Sequence, residues 1–300
     1  MIKVIASDLD GTLLSENHVL NEETYQAIKK AQAAGIRFLV ATGRDYYSAV
    51  RTMDGYELNC DYIVGSGAEV RNADGEILEN IPMDYTDFEE IIDRLKGVDI
   101  NIRFCTTGAD YIIGKEDEVE RKLMDEAKLF IGNIPDEELL AHPQFCEMKK
   151  RMHYVDSLDE LLEKEIPIFK VFISSPDVEE VKKVDPLLAD MEGIASASSF
   201  VTNVELTNIK AQKGPVLKQY IEERGYSMDE VMVFGDSMND YSMLSMDFGL
   251  TIAMENGMDE IKHVAKYVTK SNAENGVAYA IEKLLKENWV NHFFRGIDTT

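Results

Sequence analysis

The sequence is poor in the features that mark secreted and membrane-spanning proteins. Its 300 residues include only three cysteines, which lie far apart and form no C-x-x-C pair. Such usage is typical of reduced thiols in the cytoplasm. No stretch approaches the roughly 18 apolar residues of a membrane span, and charges at positions 8 and 10 leave the N-terminal apolar run too short for a signal peptide. We therefore expect a cytoplasmic protein without a membrane partner.

Positive charge is also scarce. The chain has 31 lysines and arginines against 56 acidic residues, which gives a formal net charge of -25. Nucleic acids and anionic membranes bind to basic faces, so this balance argues against both as partners. An anionic ligand would require local cations, from basic side chains or a metal, to offset the surrounding negative field.

Histidine is rare as well, and its five copies never fall three or four residues apart. Side chains at that spacing share one face of a helix, so the sequence does not indicate a histidine-based metal site. What the chain does have is an ordinary globular composition, with 45% hydrophobic and 29% charged residues. That length and composition suit an enzyme with one large domain or two modest ones.

Both ends of the chain alternate buried-type strands with helices. The predicted strands are IKVIAS (2–7), IRFLVATG (36–43), DYIVGSG (61–67), VMVFGDS (231–237) and FGLTIAME (248–255). The predicted helices include 21–35, with Asn21 as N-cap, and 213–225. Strands separated by helices of this length indicate parallel β-α-β units, and therefore an α/β fold with a Rossmann-like parallel sheet core.

The middle of the chain has a different pattern, with shorter segments of mixed type. We predict a hairpin at 100–114, a strand at 166–175, one helix over 178–191 and a pair of strands at 194–207. This pattern is typical of an α+β unit inserted into the α/β domain. The predicted division is a catalytic core of residues 1–83 and 208–300, and an inserted α+β cap domain of residues 84–207.

Polar groups follow the predicted parallel strands at their carboxyl ends. DLDGT (8–12) follows the first strand, Thr42 ends the second, and Asp236 and Asp240 come after VMVFG. Ligands bind at this edge of an open parallel sheet, so we expect Asp8, Asp10, Thr42 and Asp236 to converge. Carboxylates gathered in one crevice need a cation, and oxygen ligands without histidine or cysteine suit Mg2+ rather than zinc.

A second set of residues indicates an anion beside the metal. Gly11 permits a tight turn and a close backbone approach to an anion. Thr42 offers a hydroxyl, and Lys213, at the start of a predicted helix, offers a cation near unpaired backbone N–H groups. Mg2+, an ammonium, a hydroxyl and helix-end amides together suit a phosphoryl group. Lys210 is the other lysine that could bind the phosphoryl group. The predicted helix that follows Lys213 favours Lys213 for this position.

Four motifs, taken in order, resemble those of a known family. DLDGT (8–12), the threonine of ATGR (41–44), the Lys-Gly at 213–214 and GDSMND (235–240) are similar to the four motifs of the haloacid dehalogenase-like superfamily. The long insertion between the second and third motifs resembles its Cof-type branch, which has a class IIB cap. The resemblance implies a Mg2+-dependent phosphatase that hydrolyses small phosphomonoesters, such as sugar phosphates, through an aspartyl-phosphate intermediate.

The resemblance also implies a role for each matching residue. Asp8 would be the nucleophile, and Asp10 would protonate the leaving oxygen and later deprotonate the attacking water. The phosphate-binding positions would be Thr42, Gly43, Lys213 and Asn239. The Mg2+ ligands would be Asp8, the carbonyl of Asp10, and Asp236. Asp240 would support the site by steadying Lys213 or the metal shell.

Two features of the sequence beside the main motif residues have more than one interpretation. Ser66-Gly67-Ala68 stands where members of the family usually have Asn-Gly-Ala, which puts substrate contacts from that loop in doubt. Arg44 could bind phosphate or form a surface salt bridge.

The same motifs admit other functions. An EF-hand loop has its glycine at position 6, whereas DLDGT has it at position 4. A receiver-like signalling domain is shorter and places its phosphorylated aspartate after the third strand, not the first. A phosphomutase of the same superfamily, acting on sugar phosphates, stays open as the alternative because it would keep all four motifs.

Overall fold

The computed structural model describes residues 1–286, and within them the strands form one sheet of eight strands and one of six. The strands are β1 Val4–Ser7, β2 Arg37–Ala41, β3 Cys60–Val64, β4 Glu69–Arg71, β5 Ile77–Asn80, β6 Asn101–Cys105, β7 Asp110–Ile113, β8 Met152–Val155, β9 Lys170–Ser174, β10 Ile194–Ala197, β11 Asn203–Asn208, β12 Val231–Gly235, β13 Leu250–Ala253 and β14 Tyr267–Val268.

Helices connect most of these strands. They are α1 Glu22–Ala33, α2 Tyr46–Thr52, α3 Tyr85–Arg94, α4 Glu116–Ile131, α5 Asp136–Ala141, α6 Pro143–Arg151, α7 Leu158–Glu163, α8 Val178–Val181, α9 Val184–Leu188, α10 Lys213–Glu223, α11 Tyr241–Leu244, α12 Asp259–Val264 and α13 Gly276–Lys286. Among residues 1–286, no helix combines the length and the apolar composition that crossing a membrane requires.

The eight-stranded sheet is built from both ends of the chain, in the order β14-β13-β12-β1-β2-β3-β4-β5. Its strands are parallel from β14 to β3, and β4 and β5 add an antiparallel edge. Apolar side chains of β1 alternate between the two faces, and each face is covered by its own hydrophobic cluster. The predicted α/β fold with a parallel core sheet is confirmed.

The register of this sheet positions the polar motifs. Ser7, the last residue of β1, lies opposite Val40 of β2 on one side and Phe234 of β12 on the other. The residues that follow these strands therefore emerge at one edge, as expected for parallel strands. Leu9 points the other way and is fully buried in the hydrophobic core.

The six-stranded sheet comes from the middle of the chain, in the order β10-β11-β9-β6-β7-β8. Its pairs are antiparallel except for β7 with β8. One face packs on α3, α7 and α9 around a cluster that includes Phe88 and Phe104. Side chains of the opposite face of β6, β9 and β11 line a cavity shared with the core sheet. We call residues 84–207 the cap; this division stays a prediction, and residues 287–300 of the predicted core lie outside the described part.

Several local predictions were incomplete or wrong. The single helix predicted over 178–191 is two short helices, α8 and α9, because Pro186 has no N–H to bond the carbonyl of Lys182. Asn21 occupies the N-cap position of α1 without capping it, since its side chain donates to Asn275 Oδ1 at 2.7 Å. The antiparallel edge β4–β5 and the helices α4, α5 and α6 were not predicted from the sequence.

Candidate active site

A cavity of about 990 Å³ lies between the strand ends of the core sheet and the polar face of the cap sheet. Its wall includes six of the predicted site residues at the strand ends, namely Asp8, Asp10, Thr42, Gly43, Asp236 and Asn239. Residues more than 200 positions apart in the chain thus meet at one edge, as the strand-end argument predicted.

Lys213 lies beneath the cavity floor and is fully buried. Its Nζ donates to Asp8 Oδ1 and to Asp240 Oδ1, each at 2.7 Å, and more weakly to Asn239 Oδ1 at 3.4 Å. Burial lowers the pKa of Lys213, but the two carboxylates outweigh it and raise that pKa above its usual value. Lys210, in contrast, is exposed, so the geometry favours Lys213 as the site lysine.

Gly214 explains how Lys213 comes so close to the motif around Asp240. A Cβ at Gly214 would lie 2.1 Å from the carbonyl oxygen of Ser242, which no side chain tolerates. The backbone N–H of Gly214 also donates to Ser242 Oγ at 3.1 Å. The Lys-Gly pair therefore combines a charge with the close packing of α10 on the segment that begins α11.

Asp240 is a structural anchor with both carboxylate oxygens engaged. Its Oδ1 accepts from Lys213, and its Oδ2 accepts from the backbone N–H groups of Asp236 at 2.9 Å and Ser237 at 3.2 Å. Its carboxylate thus orients the lysine and closes the loop that follows β12. This arrangement fits the supporting role that the sequence predicts.

Asp236 and Asp8 have environments that penalise their negative charge. Carboxylate oxygens of Asp8, Asp236 and Asp240 lie within 4.8 Å of one another. Burial and the charge of Asp240 raise the pKa of Asp236 to about 7, although Thr12 Oγ1 donates to its Oδ1 at 2.6 Å. Burial likewise raises the pKa of Asp8 well above its usual value, despite Lys213. Three carboxylates with one ammonium leave negative charge that a cation would offset.

This donor set fits a hard divalent cation. The ligands are all oxygens, which Mg2+ prefers. In the hydrogen bonds described above, Lys213 binds one oxygen of Asp8 and Thr12 binds one oxygen of Asp236, so the second oxygen of each carboxylate can bind a metal. Gly11 keeps the space beside them open, because its φ of +75° favours glycine and a Cβ there would lie 2.5 Å from Asp236 Oδ2. Asp240 is already saturated with donors, so Asp8 and Asp236 are the carboxylates best placed to bind the ion.

The carboxylate of Asp10 is not part of this acidic group and has its own partners. Arg44 donates to both oxygens of Asp10, from Nε to Oδ2 at 2.6 Å and from a terminal nitrogen to Oδ1 at 2.5 Å. His18 Nδ1 lies 3.3 Å from Oδ1. Burial raises the pKa of Asp10, but the hydrogen bonds with His18 and Arg44 outweigh it and hold that pKa below its usual range. Arg44 thus forms an ion pair, at the rim of the cavity, while the role of His18 had no signal in the sequence.

A model of the haloacid dehalogenase-like hydrolases matches residues 5–281. The chain belongs to this family. A Bacillus subtilis protein named 5-amino-6-(5-phospho-D-ribitylamino)uracil phosphatase YwtE is 32% identical over 290 residues, which cover 95% of this chain and 98% of that protein. The B. subtilis phosphatase YwpJ is 30% identical over 290 residues, covering 95% and 100%.

A solved structure of a haloacid dehalogenase-like hydrolase from B. subtilis has the same fold. It superimposes with a TM-score of 0.80 at 27% identity, over 94% of this chain and 100% of the other. The predicted family and the predicted enzyme class, a phosphoric monoester hydrolase, are both confirmed.

The cap of this hydrolase contributes a buried ion pair to the opposite wall of the cavity, which the sequence analysis missed. Lys170 Nζ donates to Glu205 Oε2 at 2.6 Å and to the carbonyl oxygen of Gly43 at 2.8 Å. Glu205 also accepts from Ser199 at 2.6 Å through Oε1. In the sequence, both residues are visible as charged positions in otherwise apolar strands. Their pairing could not be read in the same way, because it depends on the register of β9 with β11.

Two further contacts join the cap to the core motifs. Asn239 Nδ2 donates to Ser199 Oγ at 3.3 Å, so the fourth motif touches a cap loop. Ser66 adopts a left-handed φ of 62°, and its Oγ lies 3.4 Å from Glu205 Oε2. The serine at the position where the family usually has asparagine therefore faces the cap carboxylate.

Proposed function

We propose that this hydrolase is a Mg2+-dependent phosphatase that cleaves small phosphomonoesters through an aspartyl-phosphate on Asp8. The single observation that supports this best is the position of Asp8: it forms part of the cavity wall, 2.7 Å from a fully buried lysine and within the acidic group. A carboxylate held this way is fixed in direction and relieved of part of its charge. It is therefore suited to attack an anionic phosphorus centre.

The other residues of the cavity have roles that follow from their groups. Lys213 would stabilise the charge that develops on the phosphoryl oxygens, and Thr42 and the backbone of Gly43 would hold the group in line with Asp8. Asn239 would fix the loop that follows β12. The bound Mg2+, held by Asp8, Asp236 and the carbonyl of Asp10, would reduce the repulsion between nucleophile and phosphate.

Asp10 would serve as the acid and then as the base. The pairing with Arg44 and His18 keeps its carboxylate ionised, which suits the base that takes a proton from water. The same pairing disfavours the protonated form that the acid step requires. We therefore expect Arg44 to move off Asp10 when the substrate binds.

We propose sugar phosphates and similar metabolites as substrates. The support for this is the volume of the cavity, about 990 Å³, which is large enough for a leaving group of that size beside the reacting phosphate. Because the relative YwtE is named for 5-amino-6-(5-phospho-D-ribitylamino)uracil, that compound belongs in the substrate panel.

The cytoplasmic location stays a prediction.

Hydrolysis of an aryl phosphate, with Mg2+ or with a chelator, tests the proposal. We expect the wild type to be active only with the metal, and Asp8→Asn to lose about 10⁴-fold in kcat. Asp74→Asn, on the exposed turn between β4 and β5, is the matched control and should stay active. Full activity of Asp8→Asn would refute the nucleophile assignment. A wild type that is inactive on aryl phosphate and on the substrate panel would point to the phosphomutase.

A further inference from the structure

The loop between β13 and α12 contacts both segments that carry the proposed Mg2+ ligands. Asn256 Nδ2 donates to the carbonyl oxygen of Gly11 at 2.8 Å. Two residues later, the backbone N–H of Met258 donates to the carbonyl oxygen of Asp236 at 2.8 Å. Residues 254–258, which we call the bridging loop, therefore join the turn that follows β1 to the segment that follows β12.

The bridging loop is itself attached to the end of β12. At its start, the fully buried Met254 donates its backbone N–H to the carbonyl oxygen of Gly235 at 3.1 Å. The backbone N–H of Gly257 donates to the carbonyl oxygen of Met254 at 3.0 Å and so closes the loop on itself. The side chain of Asn256 therefore extends from backbone that is fixed on both sides.

The turn after β1 needs support of this kind. Glycine is required at position 11 for the space beside Asp236, but glycine loses more backbone freedom on folding than any other residue. Rotation at Gly11 would also turn the neighbouring carbonyl of Asp10, which is the backbone group proposed as a Mg2+ ligand. A hydrogen bond to the carbonyl oxygen of Gly11 opposes that rotation, because it fixes the peptide group on the other side of the glycine.

A second asparagine, Asn272, supports the first. Its backbone N–H donates to Asn256 Oδ1 at 2.9 Å, which orients the amide group of Asn256 toward Gly11. Its own Nδ2 donates to the carbonyl oxygen of Leu14 at 2.9 Å, at the far end of the same turn. Although Asn256 is exposed to solvent, its amide is therefore engaged through both the oxygen and the nitrogen.

We propose that Asn256 is a positioning residue for the Mg2+ site, which holds the carbonyl of Asp10 in place relative to Asp236 by binding Gly11. This inference rests on the proposed Mg2+ dependence and adds a residue beyond the proposed ligands that sets the affinity of the site. Groups that orient metal ligands through hydrogen bonds commonly affect metal affinity in this way.

Asn256→Ala tests the proposal, because it removes the donor to Gly11 and leaves every proposed Mg2+ ligand in place. We expect the dissociation constant of Mg2+ to rise roughly fivefold, the size of one lost hydrogen bond. Isothermal titration calorimetry on the metal-free protein, without substrate, measures it. At saturating Mg2+, kcat on phenyl phosphate should stay within twofold, while the Mg2+ concentration for half-maximal activity should rise with the dissociation constant.

Asn21→Ala is the matched control. Asn21 Nδ2 donates to Asn275 Oδ1 at 2.7 Å, so this variant also removes one asparagine hydrogen bond between the N-terminal part of the chain and the segment after β14. It leaves the contacts of Asn256 and Asn272 with the turn after β1 in place. We expect its dissociation constant for Mg2+ to stay within twofold of the wild type.

Three results would overturn the inference. One is Mg2+ binding by Asn256→Ala within twofold of the wild type. Another is equally weakened binding in Asn21→Ala, which would indicate a general loosening of the fold. The third is a loss of kcat at saturating Mg2+ without a change in the dissociation constant. A wild type that binds no Mg2+ would instead refute the proposed metal dependence.

Discussion

The two walls of the cavity each contain a buried lysine, and the two lysines have different surroundings. Lys213, on the core wall, is shared between two carboxylates, Asp8 and Asp240. Lys170, on the cap wall, pairs with the single carboxylate Glu205. The core wall therefore has more negative than positive charge and is suited to a cation and a reacting phosphate, whereas the cap ion pair is balanced.

This difference suggests separate roles for the two walls, the reaction at the core wall and the shape of the cavity at the cap wall. A charge excess at the core wall is useful only when a metal and a substrate complete it. A balanced pair at the cap wall fixes the shape of the cavity and leaves no net charge to bind an ion. Mutations of the two lysines should therefore have similar effects on folding and very different effects on catalysis.

Lys213→Met should have the largest effect, and Lys170→Met is its counterpart. Each leaves buried carboxylate charge without its ammonium partner, so we expect each to lower the free energy of unfolding by about 3–5 kcal/mol. Lys213→Met should also lower kcat on phenyl phosphate at least about 10³-fold, because it removes the ammonium at the reacting group. Lys170→Met should stay within tenfold. Urea denaturation and steady-state kinetics measure both quantities.

A second substitution on the cap wall distinguishes an ion-pair effect from lost packing. Lys170→Met combined with Glu205→Gln removes the unpaired charge and should recover most of the lost stability. A cap variant that loses as much kcat on phenyl phosphate as Lys213→Met would contradict the separation of the two walls.

The response to pH should have opposite signs on the two walls. Folding raises the pKa of Asp236 to about 7, so the folded protein holds a proton that the unfolded chain releases above about pH 4. The contribution of Asp236 is therefore present at low pH and is lost as the pH rises from about 4 to 7. Glu205 behaves in the opposite way. Burial raises its pKa, but Lys170 and Ser199 outweigh burial and hold that pKa below its usual value, so the contribution of Glu205 to stability is lost as the pH falls.

Thermal unfolding of the metal-free protein between pH 4 and 8 measures this difference. Asp236→Asn should reduce the loss of stability as the pH rises from about 4 to 7 and leave the part that comes from the raised pKa of Asp8. Mg2+ should stabilise the wild type above pH 7 but not that variant. An Asp236→Asn profile parallel to that of the wild type would show that Asp236 is not buried against Asp240 as described.

The smallest effect is expected where the two walls meet at the surface. Arg51 of α2 pairs with Glu147 of α6, and both side chains are close to half exposed. Exposed ion pairs contribute little, so Arg51→Gln should change the free energy of unfolding by less than about 0.5 kcal/mol and leave kcat unchanged. A larger loss would assign this pair a role in holding the cap on the core.

Most of the core wall could be predicted from the sequence. Parallel strands end at one edge of the sheet, so Asp8, Thr42 and Asp236 had to converge whatever the details of the loops. The pairing of Lys213 with Asp240 was expected from the family resemblance alone. The ion pair of Asp10 with Arg44 was not, because a turn can direct a side chain to either side of the strand end.

The cap wall could not be predicted in the same way. Arg103, Lys170 and Glu205 lie within antiparallel strands, where the partner of a residue depends on register, and a shift by one residue would place it on the opposite face. Glu126 and Arg151 belong to the helices α4 and α6, which lie between residues 115 and 165, where no helix or strand was predicted from the sequence. Charged residues inside apolar strands were visible, but their partners were not.

Glu205 has one more consequence, for the speed of turnover. Its hydrogen-bond partners Lys170, Ser199 and Asn203 all belong to the cap, and within residues 1–286 the core contributes only the weak contact with Ser66. If the cap lifts to release product, Lys170 gives up the carbonyl of Gly43, but the ion pair moves with the cap as a unit. Opening therefore leaves this buried pair intact, and the ion pairs that it would separate are those that cross from cap to core, Arg151 with Asp45 and Arg51 with Glu147.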